Sequence, residues 1–508
     1  MPSIEENLDI REVVSPQEAK FEIWRNRAGF FLAPLAFLLI FFAPFNLKPE
    51  AHNLAAIIAV VIIFWICESL PMPVTALVGA ALCVLLKVAP AKEVFAPFAD
   101  PLMFLFIGSF IIARAIFLHD LDKRFAYGVL SLKIIGARPS RILFAFGAVT
   151  AFISAWISNT ATTAMMFAIG MSILAFLFKH EEETGIKINR NYATALMLIT
   201  SFAASIGGLM TPIGTPPNVI GLGFIRSILG AEISFFKWMM IGAPIVIILY
   251  IFLFLYLNYL APAGVKEIKG SAEMIQREKA SLGKWTRAQK STVIAFATAV
   301  FLWVFSGLIA LFASDTSEIY KAINSRLPEA VGAVVGAVLL FLLPGNAKGE
   351  KAITWNEAVK IDWGVVLLYG GGFALGVLSF QTGLAEAIGK NMTLLLPLSG
   401  EFGLLVASVL VAVILSETTS NTASANMVVP VVIAIAQTQG VNPLIPALGA
   451  TFGASLGFML PVSTPCNAIV YGSGYIPLMK MIRYGVLLDI FGAIVIIAIL
   501  SLLSPFLR

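Results

Sequence analysis

Ser158-Asn159-Thr160-Ala161-Thr162 and Ser420-Asn421-Thr422-Ala423-Ser424 set the same run of hydroxyl and amide groups twice into strongly apolar sequence. Each copy has a proline-broken polar sequel, Thr211-Pro212-Ile213-Gly214-Thr215-Pro216-Pro217-Asn218 after the first and Leu460-Pro461-Val462-Ser463-Thr464-Pro465-Cys466-Asn467 after the second. Hydroxyl and amide oxygens are hard, uncharged ligands suited to sodium, and the same groups can donate hydrogen bonds to a carboxylate. None of the four runs contains Lys or Arg. An anion held there must be stabilised by helix ends, hydroxyls, amides and bound cations, with sodium the natural countercharge. Two clusters per half in the same order point to one binding site built twice.

The elements that carry these runs must lie in a membrane. Of 508 residues, 59% are hydrophobic and only 12% charged, against about 25% charged in soluble domains. Apolar runs of the length that crosses a hydrocarbon core recur along the whole chain. Spans are expected at about 28 to 46, 54 to 70, 74 to 89, 102 to 118, 191 to 225, 237 to 260, 292 to 312, 328 to 344, 363 to 381, 443 to 475 and 481 to 504. The formal charge of +5 is small for this length and sits in loops, so it reports membrane orientation and not nucleic-acid binding. Residues 1–27, with Glu5, Glu6, Asp9, Glu12, Glu18 and Glu22, read as a polar cytoplasmic tail and not as a cleavable signal.

Loop charges orient this layout. Lys123, Arg124, Lys133, Arg138 and Arg141 follow the fourth span, and seven basic residues from Lys266 to Lys290 follow the sixth. Both loops are expected on the cytoplasmic side. That holds only if the segment at about 141–178, with the first Ser-Asn-Thr, enters from the cytoplasm and returns to it as a re-entrant hairpin. The second hairpin, about 402–437, then enters from outside, and the chain divides into a first half at 28–260, a cytoplasmic basic loop at 261–291 and a second half at 292–508. Leu105-Phe106-Ile107-Gly108-Ser109-Phe110 resembles Leu368-Tyr369-Gly370-Gly371-Gly372-Phe373, at nearly the offset that separates Asn159 from Asn421. The expected fold is all-α and polytopic, with about 11 spans and two hairpins in an inverted repeat.

Non-helical backbone survives at membrane depth only where protein buries it or a wet cavity receives it. The prolines of the sequels break their helices, expose carbonyls and bring Thr215, Asn218, Thr464 and Asn467 to the break. Ser, Asn and Thr can instead serve as glue between helices. A lone Ser-Asn-Thr would be read that way, but four clusters in matched order favour a site. Glu417, just before the second run, is the one acid within a cluster; it is read as structural, capping a half-helix or supporting a cation site. Cys67, Cys83 and Cys466 lack CxxC spacing, and His52, His119 and His180 sit near span ends. No disulfide framework, zinc site or enzyme centre is expected.

Taken together, the paired Ser-Asn-Thr tips, Thr211 to Asn218, Glu68-Ser69-Leu70-Pro71-Met72-Pro73-Val74-Thr75 and Leu460 to Tyr475 closely resemble the divalent anion/sodium symporter family, and its bacterial INDY-type dicarboxylate transporters in particular. The resemblance runs from about residue 28 to the end. It implies a homodimer in the cell inner membrane, each protomer with a scaffold and a transport subdomain that moves as an elevator. It implies sodium-coupled symport of a C4-dicarboxylate such as succinate, malate or fumarate. The first sodium site would use Ser154, Ser158, Asn159 and the backbone of Gly207; the second would use Ser416, Thr419, Asn421 and the backbone of Ser463. The substrate would meet Asn159, Thr160, Ser420, Asn421, Thr422, Thr464 and Pro465. Cys466 stands where the family has the second proline of this loop. Sodium-independent dicarboxylate exchange and sodium/sulfate symport are the alternatives within the fold. A channel would not need two inverted hairpins.

Overall fold

The computed structural model describes residues 16–185, 187–268, 270–313, 318–395 and 400–507. These form helices and connecting segments, with a single isolated β-bridge between Pro344 and Lys351. The first half holds α1 (Pro16–Phe42), α2 (Pro49–Cys67), α3 (Met72–Leu85), α4 (Ala91–Phe95), α5 (Pro101–Leu118), α6 (Leu121–Leu130), α7 (Pro139–Ser154), α8 (Asn159–Thr184), α9 (Arg190–Gly208), α10 (Pro216–Leu229) and α11 (Phe235–Leu260). The polar α12 (Ser271–Ser281) connects it to α13 (Arg287–Ala313), α14 (Glu318–Arg326), α15 (Glu329–Leu342), α16 (Trp355–Ala358), α17 (Trp363–Gln381) and α18 (Leu384–Leu395). The last elements are α19 (Gly400–Thr418), α20 (Asn421–Gln439), α21 (Leu444–Gly453), α22 (Pro465–Tyr471) and α23 (Leu478–Leu507).

The expected order of elements is present. α7 and α8 form one hairpin, α19 and α20 the other, and each is followed by a pair broken at its proline run, α9 with α10 and α21 with α22. Among the described residues nine helices are long and apolar enough to cross a membrane by length and composition, including α8 and α19 from the hairpins. α3 and α15, at 14 residues each, rise only about 21 Å at 1.5 Å per residue, so they fall short of a full hydrocarbon core. α1 starts at Pro16, inside the stretch expected to be a polar tail; residues 1–15 of that tail lie outside the described residues. Its apolar window begins at Glu22, and the helix carries the more polar turns before it.

The halves interlock by exchange. α5 packs on α15 and α17 packs on α3, so each half's long helix lies against the other half's short one. Small residues permit the approach: a Cβ on Gly108 would stand 2.6 Å from the Ala333 backbone, and one on Gly371 would stand 2.5 Å from Ala76 Cβ. The same exchange recurs beneath the polar runs, where α10 lies against α20 and α21 while α22 lies against α8 and α9. Asp100, at the start of α5, joins α10 to this frame. It pairs with Arg226 and accepts from Tyr369 Oη at 3.1 Å.

Candidate functional site

The four polar runs are four helix starts. Ser158, Thr215, Ser420 and Thr464 stand at the N-caps of α8, α10, α20 and α22, and α7, α9, α19 and α21 end just before the same breaks. Pro216 and Pro465 open their helices because proline lacks the N–H that the first turn cannot use. Ser420 Oγ accepts from Ala423 N at 3.3 Å and Thr464 Oγ1 accepts from Asn467 N at 3.2 Å. The starts carry the positive ends of helix dipoles and free amides, and the ends supply carbonyl oxygens. Anion and cation can therefore be held side by side without a basic residue.

Each hairpin tip contains the same side-chain pair. Ser154 Oγ lies 2.7 Å from Asn159 Oδ1, and Ser416 Oγ lies 2.7 Å from Asn421 Oδ1. At the first tip that end of the Asn159 amide is also 3.1 Å from the carbonyl oxygens of both Ala204 and Gly214. An amide nitrogen turned that way donates to them. An amide oxygen there makes a cluster of four oxygens, which is favourable only around a cation. At the second tip Ser416 Oγ reaches Ala454 O at 2.8 Å and Asn421 Nδ2 reaches Ser455 O at 3.5 Å. Both donor sets are neutral oxygens, which fit sodium and fit zinc poorly.

The breaks are locked by a second pair of asparagines. Asn218 Nδ2 donates to Gly208 O at 2.9 Å and Thr211 O at 2.8 Å; Asn467 Nδ2 donates to Gly457 O at 3.0 Å and Leu460 O at 2.9 Å. Both asparagines are fully buried. Their amide nitrogens hold the shape of the breaks. Ser201 Oγ donates to Asn467 Oδ1 at 2.6 Å and so ties the second break to the first half. Glycines let the runs close: a Cβ on Gly208 would stand 2.4 Å from Asn159 Oδ1, and one on Gly457 would stand 3.2 Å from Asn421 Oδ1. Behind each break a long helix supports it through one glycine. A Cβ on Gly242 of α11 would stand 2.6 Å from Leu209 O, and one on Gly485 of α23 would stand 2.3 Å from Phe458 O.

The remaining residues expected at the site fall as follows. Ser158 and Asn159 are half-buried and Thr160 is exposed; Ser420, Asn421 and Thr422 are half-buried; Pro465 is exposed and Thr464 buried. Cys466 meets the side chains of Thr160, Thr163 and Ser205, which places the start of α22 against the first hairpin tip. The Gly207 carbonyl accepts from Met210 N at 3.0 Å in closing the end of α9, and the carbonyls beside Asn159 are those of Ala204 and Gly214. Thr419 Oγ1 turns back to Leu415 O at 2.7 Å. Ser463 Oγ donates to the Glu417 carboxylate at 2.6 Å. Sequence reasoning named the backbone of Gly207 and Ser463 but not the Ala204 and Gly214 carbonyls beside Asn159, because a carbonyl has no side-chain signature. It also missed Asp489, an acid within the apolar α23 that packs beside Glu417; a charge in mid-span was a legible signal.

A cavity of about 120 Å³ lies elsewhere, among α2, α17, α18 and α20. Ser379 and Asn426 are the polar side chains in an otherwise apolar lining that includes Val61, Trp65 and Met427, so it does not suit a dianion.

Comparison with known proteins bears on the family and the fold. The family model for the sodium:sulfate symporter transmembrane region matches residues 25–507. The sodium-dependent dicarboxylate transporter SdcS of Staphylococcus saprophyticus is 35% identical over 484 residues, which cover 94% of this chain and 91% of that protein. SdcS of a bovine strain of Staphylococcus aureus is 34% identical over 490 residues, at the same coverage of 94% and 91%. Among solved structures, the fold is similar to the YdaH transporter of Alcanivorax borkumensis, with TM-score 0.55 at 12% identity over 96% of this chain and 98% of that one. MtrF of Neisseria gonorrhoeae gives TM-score 0.52 at 14% identity over 84% and 85% of the two chains. The chain belongs to the sodium:sulfate symporter family, the divalent anion/sodium symporters.

Proposed function

We propose that this protein is a sodium-coupled symporter of C4-dicarboxylates such as succinate, malate and fumarate. The observation that carries the reading is the mirrored Ser–Asn pair, 2.7 Å in both hairpin tips, each beside carbonyls of the broken pair that follows it in its own half. The relatives named as sodium-dependent dicarboxylate transporters support the substrate class. Ser154, Ser158 and Asn159, with the Ala204 and Gly214 carbonyls and the Gly207 backbone close by, hold one sodium. Ser416, Thr419, Asn421 and the backbone of Ser463 hold the second. The sodium ions supply positive charge that the motifs lack.

Asn159 and Asn421 each present an oxygen to a cation and an amide nitrogen to a carboxylate. Thr160, Ser420, Thr422, Thr464 and Pro465 complete the contacts to the substrate, helped by the starts of α8, α20 and α22. The two hairpins with α9 to α11 and α21 to α23 form the moving part of an elevator, and α1 to α5 with α13 to α17 form the scaffold. Two copies assemble as a homodimer in the cell inner membrane, with the N-terminus and the 261–291 loop in the cytoplasm.

Purified protein in liposomes, given an inward sodium gradient and labelled succinate, should accumulate succinate, and choline in place of sodium should stop accumulation. Equal uptake in choline and sodium overturns the coupling and favours the exchanger reading. Sulfate that competes better than succinate or malate reassigns the substrate.

A further inference from the structure

Beneath the second hairpin tip lies a carboxyl pair that the first half lacks. Glu417, 2% exposed, accepts from Met459 N at 2.8 Å and Ser463 Oγ at 2.6 Å. Asp489 on α23, 5% exposed, lies beside that carboxyl and near the Phe458 amide. Both oxygens of Asp489 are buried without a hydrogen-bond partner. None of the ion pairs among the described residues includes either acid.

The pair is an addition to the repeat and not part of its construction. Ser154–Asn159 corresponds to Ser416–Asn421, so Glu417 stands where the first half has Ala155. Gly242 beneath Leu209 corresponds to Gly485 beneath Phe458, so Asp489, one turn after Gly485, stands where the first half has Val246. Ala155 and Val246 are both buried, and the first break forms without any acid. Two adjoining carboxyls shut off from water cannot both stay ionised without a positive species between them. Glu417 is already oriented by two donors, which leaves the two Asp489 oxygens free as hard ligands of the kind an oxygen-seeking cation takes.

We propose that Glu417 and Asp489 form a third cation site, filled by sodium, between the second break and α23. The proposal rests on the sodium-coupled reading above. A succinate dianion with two sodium ions is neutral, so a third sodium gives each transport cycle one net positive charge. The extra ion binds behind the break that carries Thr464 and Pro465, where it couples sodium to substrate without touching it.

Sodium-22 binding to the purified protein at saturating succinate, measured by equilibrium dialysis, should give three ions per protomer in the wild type and two in Asp489→Asn. In liposomes, wild-type succinate uptake should rise with about the third power of sodium concentration and accelerate at inside-negative potential. Asp489→Asn should reduce the steepness by one and remove the acceleration. Asp489→Glu should keep three ions. A wild-type count of two or fewer overturns the site even if the variants do not fold, as does an equal count in the wild type and Asp489→Asn. Two sodium ions with uptake of one proton on the same sample overturns sodium in favour of a shared proton. Failure of the underlying reading would appear separately, as the absence of sodium-driven succinate uptake by the wild type.

Discussion

Four asparagines in this chain look alike in sequence and differ in what they do. Asn159 and Asn421 lie half-buried beside serine hydroxyls and main-chain oxygens, whereas Asn218 and Asn467 are fully buried and spend both N–H groups on the ends of their own breaks. Substitution should separate the two kinds. Asn159→Ala and Asn421→Ala each remove a hydrogen-bonding group next to charge, worth about 1.5 to 3 kcal/mol, a factor of roughly ten or more in ligand affinity. Both variants should insert normally, melt near the wild-type temperature without sodium and succinate, and lose nearly all uptake. Wild-type-like uptake by either one rejects the proposed site. Asn467→Ala should instead lower stability, by about 1 to 3 kcal/mol for the carbonyls left unpaired, with a lower melting temperature in the absence of any ligand as the readout.

At the scale of elements, the shape of each broken pair depends on a long helix behind it. The Cβ of Gly485→Ala would overlap the Phe458 carbonyl, whose oxygen is 2.3 Å away, and Gly242→Ala would meet Leu209 O at 2.6 Å. Neither helix can yield without moving the break, so each substitution should cost on the order of 1 to 3 kcal/mol. Thermal melts in detergent check this, and unchanged melting of both variants would contradict the packing described. The short α16 gives a pH test. Lys360, and then Arg114, holds the Glu357 carboxyl below its ordinary value. A lowered value means that the ionised form is the stabilised one. Its contribution is therefore complete above the ordinary carboxylate range and is lost as pH falls through the lowered value. With the side chain 24% exposed, the effect should be no more than about 1 kcal/mol. Glu357→Gln should melt below the wild type at pH 7, and the gap should close only as pH falls through the lowered carboxyl value.

The whole molecule carries the test of topology. α12 is polar and packs against α6 and α8, and the turn after α20 lies at the far end of the second hairpin. Ser271 is buried, but Ser281 at the end of α12 and Gln437 near the end of α20 are exposed. In a cysteine-free background, Ser281→Cys should react with a membrane-impermeant maleimide only from the cytoplasmic side, and Gln437→Cys only from the outer side. Reaction of both from one side is incompatible with an inverted repeat.

Much of this protein was legible in its sequence, because burial in a membrane narrows what a polar or helix-breaking residue can mean. Asn159 and Asn421 announce themselves as uncharged oxygens in apolar surroundings, Ser154 and Ser416 came only with the family resemblance, and Pro216 and Pro465 mark the helix starts they make. The duplication followed from spacing, and it called for a helical hairpin at each Ser-Asn-Thr run. Tertiary structure decided what depends on the partner of each group. It assigned Asn218 and Asn467 to locking the breaks, brought Ala204 and Gly214 carbonyls to Asn159, and set α10 and α22 against the opposite half. It also joined Glu417 to Asp489 across 72 positions of chain. Sequence records which groups a residue carries and how often they recur; which oxygens share one small space is fixed only when distant helices pack.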